Sequence, residues 1–374
     1  MKFIKFSQLL DFQKKSHIKA GDGLSEGSFS FFTSSPILSK LINTSQFNLP
    51  SLIFGTGGSA SVHICEKPFS VSTDCLVAQL KPEALGKFDI KFVYYYLFGN
   101  IEILENGFKG AGLKHISKGY INNIDIPELS FEDQKRIVKI INKADALRQK
   151  RKQAIRYLDD YLKSVFLEKF GDIVKNDKKW EIKKLNDLCD VGSSKRVFVD
   201  ELKKEGVPFY RGTEIGMLSC GKNIKTSLFI TNKHYQKLKK HSGIPIIGDL
   251  LMPSICPDGR IWLVDSEQPF YFKDGRVLWI HMREKTLNNI YLLYLLKEKF
   301  KKEYKSIASG TTFAEIKIFA LKGLSVLLPP IEFQDRFALI VRKTESLKNS
   351  MLVQSAELES QFNILIQKAF KGEL

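Results

Sequence analysis

The 374-residue sequence predicts an α/β (α+β) protein built from two globular domains, each followed by one long helix. Two observations carry this prediction. First, residues from about 58 to 172 match residues from about 258 to 372 at a constant offset of 200 positions, without a gap. Second, each copy passes from short apolar alternations broken by Gly, Ser and Pro into a stretch of about 40 residues with helical periodicity. A chain of this length is sufficient for two domains with separate cores.

The internal repeat is visible as identities along one diagonal. They include the pairs Asp74/Asp274, Val77/Val277, Tyr94/Tyr294, Gly110/Gly310, Gln134/Gln334, Arg136/Arg336 and Phe170/Phe370. Further upstream the offset shortens to about 179, where Leu9 and Asp11 match Leu188 and Asp190. The second copy is therefore expected to carry an insertion of roughly twenty residues between Phe209 and Leu250.

The first part of each copy is predicted to be a compact α/β domain with a mainly antiparallel sheet. In the first copy, residues 51–65 and 68–81 read as strands and loops, and residues 89–104 carry bulky apolar side chains at helical spacing. The second copy repeats this order, and in both copies a glycine-containing loop precedes a short strand that ends at proline. We call these domains the first head (residues 1–130) and the second head (residues 180–330).

Downstream of those prolines the sequence predicts long helices at residues 131–170 and 331–371, with a linker at 171–179. Acidic Glu132 and Asp133 suit a helix N-terminus, and a helix of this length extends roughly 60 Å. Apolar residues recur every seven positions on two companion tracks, the pattern of a helix pair. One stripe alone could bury against its own head, but two equivalent stripes favour pairing with each other. The residues assigned to this contact are Ile137, Ile140, Ala144, Leu147, Leu158, Val165, Phe337, Ile340, Leu347, Leu358 and Leu365.

The charge and the cysteines narrow the class of protein. A net charge of +17 and a pI near 9.4 favour a polyanionic partner, because Lys and Arg neutralise phosphates. The same balance also fits ribosomal, RNA-binding and membrane-surface proteins. The five cysteines lack CxxC spacing, so neither a disulfide framework nor a zinc knuckle is indicated. Without a signal-peptide core or a run of about 18 apolar residues, the chain is expected to be cytoplasmic and to have no membrane partner.

The motifs that would carry catalysis are missing from the sequence or have a structural explanation. Residues 54–58 contain the GxG of a nucleotide loop, but the following segment continues in strand-like alternation. The carboxylates of residues 257–267 lack the lysine that a Mg²⁺-dependent nuclease needs, and the six histidines show no zinc spacing. The sequence predicts no catalytic residue, no metal site and no cofactor bound by this chain.

In this order, the segments resemble the specificity (S) subunit of type I restriction–modification enzymes over essentially the whole chain. The resemblance is carried by the loops GAGLKHIS (110–117) and GTTFAEIK (310–317), the junctions IPELSFEDQKRIV (126–138) and LPPIEFQDRFALI (328–340), and the turn GDLLMPSICPDGRIWLV (248–264). The first copy departs from the pattern in two places. Its junction has no double proline, and FGTGGSAS (54–61) stands in place of a GD-led turn.

The resemblance implies that the heads are pseudo-two-fold related target-recognition domains, each reading one half of a split, asymmetric site in double-stranded DNA. It also implies that the helices pair as an antiparallel coiled coil, around which two modification (methyltransferase) subunits and the restriction subunits dock. S-adenosylmethionine, ATP and Mg²⁺ are then expected on those partner subunits. Two alternatives stay open: a fused restriction–modification enzyme with its own catalysis, and a repeat scaffold that binds RNA or protein.

Candidates for reading base edges are polar and basic side chains in head loops beside glycine, where the backbone can approach phosphate closely. In the first head they are Thr33, Ser34, Ser35, Thr56, Gly57, Ser59, Lys109, Lys114 and His115. In the second head they are Arg211, Thr213, Ser254, Arg260, Thr311, Thr312 and Lys317. The basic runs at 233–241 and 297–305 are expected to attract phosphates without sequence preference or to promote solubility.

Overall fold

The computed structural model describes residues 2–310 and 314–373 of the chain. The chain divides into two compact units. The first unit combines residues 1–154 with residues 351–374, and the second unit consists of residues 155–350. Each unit therefore contains one head together with a segment of each long helix.

The first head is a mixed α/β domain whose strands are mainly antiparallel. Its strands are β1 (Lys2–Lys5), β2 (Leu10–Phe12), β3 (Phe29–Phe32), β4 (Lys40–Ile42), β5 (Ser51–Gly55), β6 (Val62–Cys65), β7 (Phe69–Val71), β8 (Cys75–Leu80) and β9 (Asp125–Glu128). Its helices are α1 (Phe6–Leu9), α2 (Ile90–Gly99), α3 (Ile101–Glu105) and α4 (Lys118–Asn122). The described strands form a sheet of order β2-β8-β5-β6, a sheet of order β4-β3-β7 and the pair β1-β9. Only β3 and β7 pair in parallel in this described head.

The core of the first head lies between β5 and α2. All five residues of β5 are buried, as expected for a central strand covered on both faces. Phe54 of this strand meets Phe6 edge to face, with ring centroids 5.8 Å apart. Helix α2 begins after Asp89 because the carboxylate of this residue accepts a hydrogen bond from the backbone N–H of Lys91.

The first long helix, α5 (Phe131–Phe170), has a defined start and a defined end. At its start, Ser130 Oγ accepts from the backbone N–H of Asp133, and this capping satisfies a free backbone donor of the first turn. At its end, Gly171 adopts a φ of +76°. A side chain disfavours this left-handed conformation, so glycine allows the helix to stop there.

The second head repeats the topology of the first. Its strands are β10 (Glu181–Lys184), β11 (Cys189–Gly192), β12 (Val207–Tyr210), β13 (Phe229–Ile230), β14 (Leu250–Pro253), β15 (Trp262–Leu263), β16 (Tyr271–Phe272), β17 (Val277–Met282) and β18 (Ser325–Leu328). Its helices are α6 (Leu185–Leu188), α7 (Gly212–Leu218), α8 (Asn232–Ser242), α9 (Asn289–Ile307) and α10 (Ile318–Lys322). The described strands form sheets of order β11-β17-β14-β15 and β13-β12-β16, and the pair β10-β18. The insertion expected between Phe209 and Leu250 contains α7 and α8.

The correspondence between the two copies is not free of gaps, and the ungapped alignment is wrong in the strands. Leu10 pairs with Leu80 at the start of β2, and the equivalent Cys189 at the start of β11 pairs with Met282. Val277 therefore occupies the position of Cys75, and the identity of Val277 with Val77 is a coincidence of alternating apolar strands. Loops of slightly different length change the alignment offset between the two copies from one strand to the next. The pairing of the strands is nevertheless the same in both copies.

The two long helices pair antiparallel within each unit, which confirms the predicted helix pair; the second of them is α11 (Ile331–Lys371). In the first unit, Ile137 and Ile141 of α5 share a buried cluster with Phe362, Ile366 and Ala369 of α11. In the second unit the matching cluster joins Leu162, Val165, Phe166 and Phe170 to Phe337, Ala338 and Val341. No helix in the described part of the chain is both long and apolar enough to cross a membrane.

One of the two predicted apolar tracks lies on the solvent-exposed side of the helices, and that part of the prediction is wrong. The track of Ile137, Ala144, Leu158 and Val165 on α5, and that of Phe337, Leu358 and Leu365 on α11, are buried or half-buried. The companion residues are not: Leu147 is 59% exposed, Leu347 52%, and Ile140 36%, while Ile340 is half-buried. The second buried track instead passes through Ile141, Arg148 and Leu162, one residue further along. Because this track contains a buried arginine, apolar periodicity in the sequence does not reveal it.

Candidate nucleic-acid interface

In the first head, two separate loops donate hydrogen bonds to one backbone carbonyl, that of Asp74. Ser34 Oγ donates to this oxygen at 2.7 Å from the loop after β3. From the loop after β5, the backbone N–H and the hydroxyl of Thr56 both donate to it, each at 2.9 Å. The predicted residues of two loops that lie far apart in the sequence are thereby held together.

A third loop, between α3 and α4, is bonded to Thr56. The backbone N–H of Ile116 donates to the carbonyl of Thr56 at 3.1 Å, and Nδ1 of His115 lies 3.1 Å from the same oxygen. Lys109 and His115 exchange backbone hydrogen bonds of 3.0 Å, which close the loop into a small hairpin. A Cβ on Gly57 would come within 3.1 Å of the His115 ring, so glycine permits this close approach.

The polar side chains of this cluster differ in how far they reach into solvent. Ser59, Lys109, Lys114 and His115 are exposed, whereas Thr33, Ser34, Ser35, Thr56 and Gly57 are half-buried. The half-buried hydroxyls are mostly engaged within the loops: Thr33 Oγ1 accepts from the backbone N–H of Ser35 at 3.3 Å. The exposed lysines and histidine are therefore the groups best placed to meet an external ligand.

The second head repeats the contacts of the β5 loop and of the α3–α4 loop with different residues. The backbone N–H of Ser254 donates to the carbonyl of Arg276 at 2.9 Å, in the place where Thr56 contacts Asp74. The backbone N–H of Ile316 donates to the carbonyl of Ser254 at 2.7 Å, and Ser309 and Glu315 close the third loop as Lys109 and His115 do. Ser254 itself is 2% exposed, so its side chain is not displayed at the surface. Thr311 and Thr312 lie outside the described residues.

Arg211 is tied to the first turn of α7. Its Nη2 donates to Oε1 of Glu214 at 2.9 Å, and its backbone N–H donates to Oε2 at 2.8 Å. Burial opposes ionisation of Glu214, but the hydrogen bonds from Arg211 outweigh it and lower the pKa of the carboxyl. The hydrogen bond to Glu214 in turn raises the pKa of the Arg211 guanidinium. Arg211 is thus a fixed cation at the start of α7, with the exposed Thr213 beside it.

The other cations of the second-head cluster also carry a carboxylate partner. Arg260 Nε donates to Asp258 at 2.9 Å, and its guanidinium lies close to Gly216 of α7, where a Cβ would meet Nη1 at 3.0 Å. Arg276 Nη1 donates to Glu315 Oε2 at 2.9 Å, and Lys317 pairs with the other oxygen of Glu315. The hydrogen bond from Lys317 holds the pKa of the Glu315 carboxyl below its usual range.

Arg276 is the residue of this cluster that sequence reasoning missed. Its side chain is 64% exposed, and it lies in the turn that leads into β17, equivalent to the Asp74 turn of the first head. The sequence KDGR at 273–276 was the available signal, because a glycine-containing turn with an arginine fits the criterion applied to the other loops. Because Asp74 and Asp274 are identical, the sequence alignment matched Asp74 to Asp274 and not to Arg276, its structural equivalent.

A cavity of about 450 Å³ in the second head places His281 beside a buried carboxylate. His281 Nδ1 lies 2.8 Å from Oδ1 of Asp249, which is 2% exposed. Ser193 and Ser242 line the same cavity, but their hydroxyls donate to backbone carbonyls at 2.6 and 2.9 Å. The arrangement therefore lacks the serine–histidine hydrogen bond that nucleophilic catalysis uses. Within the described residues no group of three or more His, Cys, Asp or Glu side chains is arranged to hold a metal ion.

Comparison with known proteins matches the chain to a described family in both heads. The family model described as "Type I restriction modification DNA specificity domain" matches residues 1–157 and 177–356. The type I restriction enzyme MjaVIII specificity subunit of Methanocaldococcus jannaschii is 27% identical over 307 residues, covering 76% of this chain and 68% of that protein. A putative type I restriction enzyme specificity subunit of Haemophilus influenzae is 28% identical over 270 residues, covering 71% of this chain and 66% of that protein.

Solved structures share the fold over the full length. The S subunit of a type I restriction–modification system from M. genitalium aligns with a TM-score of 0.54 at 15% identity, covering 98% of this chain and 95% of that chain. A chain from a structure describing complex assembly and conformational transition of the type I R-M system aligns with a TM-score of 0.53 at 16% identity, covering 100% and 98%. The two-head, two-helix architecture is therefore shared with proteins of little sequence similarity.

Proposed function

The chain belongs to the type I restriction–modification specificity family, and from this premise we propose that it binds a bipartite, asymmetric site in double-stranded DNA. Its relatives are named specificity subunits, and in this proposal the chain is a specificity subunit without catalysis of its own. The observation that carries the proposal is the duplicated loop cluster, built once around the Asp74 carbonyl and once around the Arg276 carbonyl within the two matched regions. In this proposal each cluster reads one half-site, and the long helices set the distance between the half-sites.

The chemistry of the two clusters supports an asymmetric site. The second head displays Arg211, Arg260 and Arg276, whereas Arg136 is the first arginine of the sequence, so the first head contains none. Arginine is the side chain that most often reads guanine, by donating to its O6 and N7 atoms together. We therefore assign guanine contacts to the second half-site, and contacts through lysine, hydroxyl and imidazole groups to the first.

The outer face of the helix pair supports docking of modification subunits. Leu147 and Leu347 are equivalent in the repeat, and each remains more than half exposed although it lies on a long helix. Leu147 continues a row of exposed apolar side chains with Ile140 and Tyr161 on α5, and such a row, unlike a single exposed leucine, is a common mark of a protein contact. Because each unit carries one such leucine, we infer that two copies of the same modification subunit dock, one on each unit.

The remaining components follow from this assignment. Methyl transfer to adenine would use S-adenosylmethionine on the modification subunits, and restriction subunits would supply the ATP- and Mg²⁺-dependent steps. The net charge of +17 fits the proposed DNA partner, because counterion release from phosphates favours binding by a basic chain.

The test is to express the chain together with its modification subunit and to map methylated adenines across the genome. We expect one split motif with two different half-sites and a fixed spacer, and methylation that disappears when the chain is omitted. A contiguous palindromic motif contradicts the proposal. Turnover by the purified chain alone with DNA, Mg²⁺ and S-adenosylmethionine contradicts the assignment of catalysis to the partner subunits.

A further inference from the structure

A fully buried glutamine joins the first head to its long helix. Gln134 lies in the first turn of α5 and is 0% exposed. Its Oε1 accepts from the backbone N–H of Asp89, the cap of α2, at 2.9 Å. Its Nε2 donates to the carbonyls of Lys87 and Leu129 at 3.1 and 3.0 Å. One side-chain amide therefore fastens the loop before α2 and the end of β9 to the helix.

The second unit contains the same joint. Gln334 of α11 is 0% exposed, and its Oε1 accepts from the backbone N–H of Asn288, the cap of α9, at 2.8 Å. Its Nε2 donates to the carbonyls of Thr286 and Pro329 at 3.0 and 2.7 Å. Both joints use the same three kinds of backbone partner, although the sequences of the two loops differ.

Only a primary amide of this length meets all three partners at once. Two of them are acceptors and one is a donor, so a carboxylate at this position would face two carbonyl oxygens, and an apolar side chain would leave all three groups without a partner. A buried polar group that is satisfied in only one arrangement restricts the geometry of the elements around it. Apolar packing of α2 on α5 tolerates small rotations, whereas this hydrogen-bond set does not.

We propose that Gln134 and Gln334 are positioning residues that fix the angle of each head on its own long helix, and thereby set the spacer length that the chain accepts between its half-sites. This inference rests on the proposed function, because spacer length has meaning only for a split site. Neither glutamine contacts DNA in this proposal. Each acts through the N-terminus of α2 or α9, on which the head core is packed.

The experiment measures binding of the full-length chain, with its modification subunit, to DNA sites that keep both half-sites but vary the spacer by one base pair at a time. The variants are Gln134→Met and Gln334→Met. The control is Gln354→Met, at an exposed position of α11. The unchanged chain is expected to prefer one spacer. In Gln134→Met and in Gln334→Met, the preference over the neighbouring spacers is expected to fall about tenfold, with unchanged half-site sequences.

The outcomes separate the possible failures. If the unchanged chain binds no split site, the proposed function is wrong. If it does, and a folded Gln134→Met chain keeps the original spacer preference, the glutamine is only structural and the inference is overturned. If Gln134→Met does not fold, Gln334→Met replaces it in the same comparison. Weaker binding by the same factor at every spacer also overturns the inference.

Discussion

The guanidinium of Arg148 on α5 donates to both carboxylate oxygens of Glu359 on α11, inside the helix pair of the first unit. Arg148 is 7% exposed, and its guanidinium carbon also lies 3.9 Å from the centroid of the Phe362 ring. Burial opposes ionisation of Glu359, but hydrogen bonds from Lys152 and Arg148 lower the pKa of its carboxyl. The second unit has the equivalent pair, Lys348 with Asp159, at the positions that the repeat predicts.

Replacing Glu359 with Gln is expected to destabilise the helix pair by about 1–2 kcal/mol, because Arg148 stays buried with only Asp145 as a carboxylate partner. The matched control is Asp159→Asn, where the more exposed pair should lose less than about 1 kcal/mol. Urea unfolding followed by helical circular dichroism measures both. Equal losses of unfolding free energy in the two variants would show that burial of Arg148 does not strengthen its ion pair.

A fragment of residues 1–172 is expected to form a two-fold dimer. Its buried side chains, including Ile137 and Ile141, lose their α11 partners, and a second copy of α5 supplies replacements. Because Asp159 is the counterpart of Glu359, Arg148 of one copy meets Asp159 of the other. Light scattering measures the mass, and Arg148→Glu in the fragment should abolish the dimer by opposing like charges.

With the modification subunit, the dimeric fragment should direct methylation to an inverted repeat of the first half-site. Identical heads related by two-fold symmetry read identical half-sites. A monomeric soluble fragment, or a dimer that still recognises the asymmetric parent site, contradicts the architecture.

Acid should break the ion pair between Asp172, which follows the end of α5, and Lys302. The pKa of Asp172 is lowered to about 2, first by the hydrogen bond from Lys302 and then by the backbone N–H groups of Val174 and Lys175. A depressed carboxyl pKa contributes stability above the ordinary value of 3.8 and loses it as pH falls through about 2. Asp172→Asn should therefore melt earlier than the unchanged chain at pH 7, and the difference should vanish near pH 2. A difference that persists there would contradict the ionic origin.

Arg276→Ala should weaken DNA binding by about 1–3 kcal/mol, and only at one guanine of one half-site. The control is Arg283→Ala at the other end of β17, where the arginine is bonded to the backbone of Asn186. Arg260→Ala and Arg211→Ala test the same assignment. Competition binding against single-base substitutions measures the position of each effect. A uniform loss over all sequences would reassign Arg276 to phosphate.

Leu147→Asp and Leu347→Asp should each remove one modification subunit from the complex while leaving DNA binding by the chain intact. Both leucines are more than half exposed, so the substitutions disturb little packing within the chain. Native mass measurement of the assembled complex gives the subunit count. Retention of two modification subunits by the double variant would place the docking surface elsewhere.

The sequence predicts the fold class and the helix pair because both depend on patterns that persist over tens of residues. It misplaces one of the two tracks because Arg148 and Lys348 lie where apolar residues are expected, and each forms an ion pair with a carboxylate of the other helix. It also aligns Tyr94 with Tyr294, although the caps Asp89 and Asn288 show that Tyr294 corresponds to Tyr95. Identity in an aromatic-rich helix does not fix its register.

The loop clusters could be proposed from the sequence only as sets of polar residues. Their convergence depends on the carbonyls of Asp74 and Arg276, and backbone acceptors have no signature in a sequence. For the same reason the sequence offered Ser254 as a surface residue, although its position at the end of a fully buried strand encloses its side chain. Long-range hydrogen bonding decides which loop residues face outward.

The discontinuous composition of the first unit has a consequence for the order in which the chain folds during synthesis. The second unit is one uninterrupted segment, whereas the first is completed only by residues 351–374. At a ribosomal rate of about 5–20 residues per second, Ile137 and Ile141 are synthesised roughly 11–45 s before their partners Phe362 and Ile366. During that interval a nascent chain exposes the same surface that lets a half-length chain dimerise. Neighbouring nascent chains on one messenger are therefore competitors for the helix that completes the first unit.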